Sequence, residues 1–280
     1  MTIVVVSPHL DDAALSVPAW LATTGRGERV VVVTAFSEGD ALYPTRRAED
    51  RAALAKLGVE ALHLGLRDAP QRRGHAPSFR SLILAEDDEA EHADDIEAIH
   101  AALLAAITGL VPDTVLLPLG VGEHIDHRII HAAHARLAER VGFYEDRPYA
   151  LVQHAVRARL ARLGAGPGPS LAERTAYLAS ARVAPYVRTF VPIAEREACL
   201  ASLVARWTAP SGAWLPLRCE QHVFTDGAVL ARANSAVRAY ASQLAGLFSG
   251  EDAIDVLFAD RPYVERIHWR DDGPVVARSP

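Results

Sequence analysis

Short runs of β-branched residues alternate with amphipathic segments along the first half of the chain. Four apolar runs predict buried strands, at 2–6, 30–35, 59–64 and 114–118. The segments that follow these runs predict four helices, at 12–24, 45–56, 94–108 and 126–140. Because the predicted strands are apolar throughout, both faces of their sheet must be covered. The pattern therefore predicts a Rossmann-like α/β sandwich of three layers with a mostly parallel sheet in the middle.

The regular pattern is interrupted at 65–92, where Pro, Gly and charged residues predominate. A segment of this length predicts an irregular loop or insertion, which we expect to form one wall of a substrate pocket. After residue 148 the pattern predicts a strand at 149–153, helices at 155–163, 194–207 and 231–248, and a flexible connector at 164–170. Since no repeat or second domain is evident, we expect one domain over 1–280 whose C-terminal half wraps the same sheet.

Charge and cysteine content exclude several classes of protein. The chain has 280 residues, a net charge of -6 and two cysteines. Two cysteines cannot build a disulfide framework and the first residues lack the basic region of a signal peptide, so we expect a cytoplasmic protein. No apolar segment reaches the roughly 20 residues of a membrane span, and the negative charge argues against general affinity for nucleic acid or anionic membranes. We expect a small-molecule partner, no nucleic acid and no membrane, and the sequence leaves a homo-oligomer open.

A histidine and two adjacent carboxylates follow the first predicted strand, in the turn Ser7-Pro8-His9-Leu10-Asp11-Asp12. Adjacent carboxylates repel each other unless a positive charge lies close by. His9 and Asp12 are three residues apart and can point to one spot, and His127, after the fourth strand, completes three ligands for zinc. Three protein ligands leave the open position of a catalytic zinc. Asp11 cannot easily point the same way, so it is free to act as a general base.

Simpler interpretations explain less of this pattern. A helix-capping turn accounts for one of the two aspartates, but it explains neither His9 nor the second motif before the fourth helix. His131 and His134 share a helical face with His127 but lie a turn or more away, so we interpret them as packing or solvent-facing residues. A nucleotide site is disfavoured because the chain lacks G-x-G-x-x-G and P-loop motifs, and an α/β-hydrolase is disfavoured because it lacks G-x-S-x-G.

Both motifs resemble those of the PIG-L/LmbE-like zinc-dependent deacetylases. That family usually has H-P-D-D-E after its first strand and H-x-D-H or H-x-x-H before a helix; here the motifs are HLDDA at 9–13 and HIDH at 124–127. The likeness extends over most of the chain, through TAFSEG, RRAEDRAALAKLGV, FYEDRPYA and AVRAYASQ. Leu10 replaces the usual proline and Ala13 the usual glutamate, and neither change removes a metal-binding atom.

The resemblance implies the same zinc ligands and the same general base as the spacing does, with another divalent first-row metal as the substitute for zinc. It implies that His124 stabilises the oxyanion or protonates the departing amine, and that Asp126 orients His124. Arg46 and Asp68 match positions that line the substrate pocket in the family. Arg47 is the substitute for Arg46 if the helix register is shifted by one residue.

Together, residues and resemblance predict a hydrolase that removes an N-acyl group, foremost acetyl, from an amino sugar or an amino-sugar-containing small molecule in secondary metabolism. One alternative is a zinc amidase that acts on a thiol-sugar conjugate or a non-sugar amide. Another is a non-catalytic sugar-binding protein, although metal binding alone would require neither Asp11 nor His124.

Overall fold

The computed structural model of the protein describes residues 1–72, 93–206, 215–248, 254, 257–258 and 262–271. Seven strands within these residues form one sheet. In chain order they are β1 (Thr2–Ser7), β2 (Arg29–Glu38), β3 (Glu60–Arg67), β4 (Thr114–Pro118), β5 (Arg140–Tyr144), β6 (Leu217–Phe224) and β7 (Tyr263–Arg270). Across the sheet their order is β3-β2-β1-β4-β5-β7-β6. The first five are parallel, whereas β7 runs antiparallel to β5 and β6 antiparallel to β7.

Helices cover both faces of the sheet. In chain order the described helices are α1 (Asp12–Ser16), α2 (Pro18–Thr24), α3 (Tyr43–Leu57), α4 (Ala69–Arg72), α5 (Ala93–Leu110), α6 (Ile125–Ala132), α7 (Ala155–Arg162), α8 (Leu171–Val183), α9 (Pro185–Phe190), α10 (Arg196–Arg206), α11 (Gly227–Val237) and α12 (Ala241–Phe248). Alternate residues of β1 belong to two separate cores: Val4 and Val6 pack on one face, Ile3 and Val5 on the other. The predicted three-layer, mostly parallel α/β sandwich is confirmed. None of the described helices is both long and apolar enough to cross a membrane.

The first helix and the fourth helix differ from their predicted extents. The predicted helix at 12–24 is two helices, because Pro18 lacks the N–H that would continue the first one and instead opens α2. The predicted helix at 126–140 ends at Ala132, continues as a 3-10 turn over Ala133–Arg136, and gives way to β5. Gly58, which adopts a left-handed φ of 79°, ends α3 as its position predicts.

Several predictions for the second half are wrong. The segment predicted as a strand at 149–153 contains a 3-10 turn at Tyr149–Leu151, and the helix predicted at 231–248 is divided into α11 and α12. The C-terminal half does more than wrap the sheet, since it supplies β6 and β7 to one edge. Of the predicted insertion at 65–92, the first residues belong to β3 and α4, and 73–92, with the expected pocket wall, lie outside the described residues.

The close packing around β5 leads to a stability prediction. A Cβ on Gly142 would lie 2.8 Å from side-chain atoms of Leu116 and Trp269 and 2.9 Å from Ile267. We expect Gly142→Ala to lower the free energy of unfolding by about 1–3 kcal/mol, because these core side chains would have to move. Urea denaturation measures the change. Gly27→Ala is the matched control, since nothing lies within 4 Å of that position; equal stability of the two variants would contradict the prediction.

Candidate active site

The predicted metal ligands and catalytic residues follow the carboxyl ends of β1 and β4, in the middle of the sheet. From β1 the chain continues outward through β2 and β3, whereas β4 and β5 lie on the other side of β1. The crevice between two such strands, where the strand order reverses, is the usual ligand site of an open α/β sheet. The turn after β1 leads into α1 and carries His9 and Asp11, while the loop after β4 leads into α6 and carries His124.

His9, Asp12 and His127 come together in this crevice. The Oδ2 atom of Asp12 lies 3.1 Å from Nδ1 of His9 and 3.3 Å from Nε2 of His127. One ligand atom from each residue lies within 4.8 Å of the other two. Ligands about 2.0–2.1 Å from a tetrahedral zinc are roughly 3.3 Å apart, so the spacing fits a single small cation.

The buried Nε2 atom of His127 is the strongest indication that the site fits a metal. His127 is fully buried, and its Nε2 has no hydrogen-bond partner among the described residues, since Oδ2 of Asp12 at 3.3 Å is not in hydrogen-bonding geometry with it. A buried imidazole nitrogen is normally hydrogen-bonded, and this one faces the carboxylate of Asp12. His9, His124 and Asp126 also satisfy metal-ligand spacing, but Arg72 already contacts Asp126. The set with His127 is therefore the better candidate.

Each of the two histidines of this set contacts a second buried carboxylate through its other ring nitrogen. Nε2 of His9 lies 3.0 Å from Oδ2 of Asp126, and Nδ1 of His127 lies 2.6 Å from Oδ1 of Asp146. Burial would lower the pKa of His9, but hydrogen bonds to Asp12 and Asp126 raise it to about 9. Burial likewise opposes charge on His127, but Asp12 and Asp146 raise its pKa well above the usual value. The pocket thus attracts positive charge.

Asp11 lies beside this cluster without being part of it. It is only 5% exposed, and its carboxylate has no hydrogen-bond partner in the described part of the chain. Burial and the adjacent Asp12 raise the pKa of Asp11 to about 7, while Arg46 and His9 act in the opposite direction. An unpaired buried carboxylate with a raised pKa is suited to accept a proton.

His124 occupies the N-terminal cap of α6. Its ring centroid lies 5.0 Å from that of His9 and 5.4 Å from that of His127. The main-chain N–H of Asp126 donates to Nδ1 of His124 at 3.2 Å. Burial and the neighbouring His9 lower the pKa of His124 to about 3. Since Nδ1 accepts a hydrogen bond, the single proton of the neutral ring lies on Nε2, which can donate.

Asp126 contacts His124 through its main chain rather than its side chain. Its carboxylate is bonded to His9, to the main-chain N–H of Ala69 at 2.9 Å and to the guanidinium of Arg72 at 2.5 Å. Any orientation of His124 by this residue, as the family resemblance implies, would therefore act through the helix cap.

Arg46 and Asp68 both lie near the crevice. Nε of Arg46 donates to Oε1 of Gln243 at 2.8 Å, and Nε2 of Gln243 donates to the carbonyl of Leu10 at 3.0 Å. Asp68 accepts a hydrogen bond of 2.5 Å from the hydroxyl of Tyr43, and its Oδ1 is buried with no hydrogen-bond partner within the part of the chain that the structure describes.

The neighbouring arginine, Arg47, has its own partners. Its guanidinium donates to the carbonyl of Ser37 and to Glu38, both at 2.8 Å. The Arg46 guanidinium, by contrast, lowers the pKa of Asp11. Arg46 is therefore the arginine whose charge acts on the candidate base.

Sequence reasoning missed four residues near the site: Tyr43, Arg72, Asp146 and Gln243. Only Asp146 and Gln243 lay in segments that carried the family likeness, FYEDRPYA and AVRAYASQ. The second segment meets one face of α3 through three pairs, which are Gln243 with Arg46, Ser242 with Glu49 and Tyr240 with Asp50. The C-terminal part of the chain thus reaches the site.

Two histidines outside the candidate metal site have structural partners. Nε2 of His63 lies 2.7 Å from Asp50, and Nδ1 of His131 lies 3.0 Å from the carbonyl of Pro118. Among the described residues, neither His63 nor His131 belongs to a group of side chains whose ligand atoms lie close enough together to hold a metal ion.

Comparison with known proteins connects these motifs to a family. Residues 4–138 match the family model PIG-L, described as GlcNAc-PI de-N-acetylase. The 2'-N-acetylparomamine deacetylase of Streptomyces fradiae is 34% identical over an alignment of 172 residues, which covers 54% of this chain. The matched part spans 58% of the length of that curated relative.

Solved structures share the fold over nearly the whole chain. The A40926 pseudoaglycone deacetylase Dbv21 has a TM-score of 0.61 at 22% identity and is matched over 96% of both chains. The zinc-inhibited form of the teicoplanin deacetylase Orf2 has a TM-score of 0.60 at 20% identity, covering 98% of this chain and 100% of that one. The family model spans β1, β4 and both histidine motifs, so this chain carries a PIG-L family domain over residues 4–138.

Proposed function

We propose that this protein is a zinc-dependent deacetylase that removes an N-acetyl group from an amino sugar in a small glycoside of antibiotic-type secondary metabolism. The observation that carries the proposal is the buried Asp11 carboxylate, which makes no cap hydrogen bond to α1, beside a cluster in which Nε2 of His127 has no hydrogen-bond partner among the described residues. A metal-binding protein would need the cluster alone, whereas hydrolysis also needs a base next to it.

His9, Asp12 and His127 would hold the metal, through Nδ1, a carboxylate oxygen and Nε2 respectively. Zinc, when bound there, supplies a Lewis acid that polarises the amide carbonyl and makes water more acidic. The imidazole and carboxylate donors fit zinc and also other divalent first-row metals. A deacetylase of the same fold, the teicoplanin deacetylase Orf2, has a zinc-inhibited form, so zinc acts on a protein of this fold.

The chain's own residues move the protons of the reaction. Asp11 takes a proton from the attacking water, whose oxygen bonds to the acetyl carbon. Nε2–H of His124 donates to the oxyanion that forms, because Nδ1 is occupied by the helix-cap hydrogen bond. The C–N bond then breaks, and the proton held by Asp11 passes to the leaving amine. The products are acetate and a free amino sugar.

The groups at the mouth of the crevice favour a polyhydroxylated substrate. The Arg46 guanidinium carries donors, and Oδ1 of Asp68 is an acceptor without a partner among the residues that the structure describes. Sugar hydroxyls can satisfy both kinds of group, since each donates and accepts. The curated relative acts on an N-acetylated aminoglycoside by its name, which supports the same substrate class here. A small-molecule substrate and the cysteine content keep the cytoplasm as the expected location.

The two alternatives gain no support from the comparisons. None of the relatives described above is named for a thiol-sugar conjugate, a non-sugar amide or sugar binding without catalysis.

An acetate-release assay tests the substrate class. Zinc-loaded protein should release acetate from N-acetylated aminoglycosides and N-acetylglucosaminyl glycosides faster than from an acetyl-lysine peptide. EDTA should abolish the release and added zinc should restore it, because the ligands belong to the chain. Turnover confined to peptides or non-sugar amides would contradict the sugar assignment. No turnover of any acetylated substrate by a zinc-loaded protein would favour the binding protein.

A further inference from the structure

We infer that Asp146 is a positioning residue that determines which ring nitrogen of His127 faces the metal site. The inference rests on the proposed function, since it concerns the metal that His127 would bind there. No residue motif and no comparison assigns a role to Asp146, which follows β5 and is fully buried.

The Asp146 carboxylate is bonded on both of its oxygens. Oδ1 lies 2.6 Å from Nδ1 of His127, and Oδ2 accepts hydrogen bonds from the main-chain N–H groups of Gly120 at 2.8 Å and Val121 at 2.9 Å. A carboxylate with two main-chain donors on one oxygen is an acceptor, so Nδ1 of His127 must be the donor. Neutral imidazole carries one proton, and therefore the lone pair lies on Nε2, the atom that faces Asp12.

The same carboxylate connects two elements of the site. The residues that donate to Oδ2 lie in the loop between β4 and α6, which leads directly to His124. Main-chain N–H of Leu119 also donates to the carbonyl of Tyr144 at 2.9 Å. Further along the same segment, the Tyr149 ring meets the His127 ring edge-on at 5.5 Å. Asp146 thus joins the end of β5 to His127 and to the loop that leads to His124.

Asp146→Asn changes the acceptor pattern with almost no change in shape. If the amide NH2 faces Gly120 and Val121, it meets their main-chain N–H groups, and both hydrogen bonds to residue 146 are lost because donor faces donor. If it faces His127, Nδ1 must accept, which moves the ring proton to Nε2 and blocks that atom as a ligand. Either orientation weakens metal binding. Outer carboxylates of this kind typically contribute about 10–100-fold to metal affinity.

The first measurement is zinc affinity, determined by competition with a chromophoric chelator on the full chain. We expect Asp146→Asn to raise the zinc Kd by about 10–100-fold. Glu145→Gln is the matched control, because Glu145 makes a similar contact with His268, at 3.0 Å, outside the site; its zinc Kd should stay within about twofold. Wild-type affinity in Asp146→Asn would overturn the inference.

The second measurement needs no variant and so does not depend on the variant's folding. In ¹⁵N-labelled, zinc-loaded wild-type protein, the NMR shifts of His127 should show a protonated Nδ1 and a metal-bound Nε2. A metal-bound Nδ1 would overturn the inference while leaving zinc binding intact. A wild-type chain that binds no zinc would contradict both the proposed function and the inference, whereas equal affinity in wild type and Asp146→Asn contradicts the inference alone.

Discussion

Asp11→Asn should retain zinc and lose on the order of 10²-fold or more of its kcat. The amide preserves the shape of the side chain but cannot take a proton from water. The Asp11 side chain makes no cap hydrogen bond to α1, and in the described part of the chain only its main-chain carbonyl accepts a hydrogen bond, from the N–H of Leu15 at 2.9 Å, so its replacement by Asn should disturb little else. Steady-state kinetics on the best acetylated glycoside, with zinc content measured on the same sample, separates the loss in kcat from any loss of metal.

A matched variant at the opposite end of the sheet controls for the general effect of removing a carboxylate. Asp113 accepts the main-chain N–H of Thr2 at 2.8 Å, at the amino ends of β4 and β1. Asp113→Asn should keep kcat within about twofold, because surface substitutions far from the active site usually have small effects. If Asp11→Asn keeps substantial activity, some other group is the base and the role proposed for Asp11 is wrong.

The central parallel strands could be predicted because each is apolar over most of its length. β1 and β4 carry almost unbroken Val, Leu and Ile, which only a buried sheet explains. β5 was missed because helix-forming residues such as Ala, Arg, Leu and Glu precede it without a clear break. β6 and β7 have alternating burial and many charged residues, so their pairing at the sheet edge depends on tertiary contacts that a local pattern does not reveal.

The metal set could be predicted for a similar reason. His9 and Asp12 are three residues apart, and His127 follows another strand end, so local spacing and a rule of sheet topology suffice to bring them together. Asp146 and Gln243 could not be placed this way. Asp146 meets His127 only because β5 lies beside β4, and Gln243 meets Leu10 across 233 positions of the chain. Such partners are determined by the fold as a whole.

The carboxylate of Asp126 illustrates the limit of reasoning by motif. The H-x-D-H pattern places Asp126 two residues after His124, which suggests that one orients the other. On a helix, residues two apart do not face each other, and the side chain of Asp126 instead meets His9, from the other motif. The two motifs are thus joined to each other by a hydrogen bond as well as by any metal they share.

Asp12→Ala should remove zinc from the protein. Asp12 stands between His9 and His127 and supplies the only negatively charged ligand of that set. Its loss should raise the zinc Kd by at least the roughly 100-fold that outer residues can contribute. Elemental analysis after gel filtration and chelator competition both measure this, and kcat should fall in proportion to zinc occupancy.

Thermal unfolding gives an independent test of the same residue. With free zinc at about 100 times the wild-type Kd, binding stabilises the wild-type fold by about 2.7 kcal/mol, so its Tm should rise, whereas Asp12→Ala should show almost no zinc-dependent rise. Metal-free Asp12→Ala should unfold at a lower temperature than metal-free wild type, because Asp12 accepts the main-chain N–H of His9 at 2.7 Å and contacts both histidines, so the zinc-dependent rise is measured within each variant. His222→Ala, on the edge strand β6, should keep the full zinc-dependent rise. A zinc-dependent rise in Asp12→Ala equal to that of wild type would show that the metal is held elsewhere.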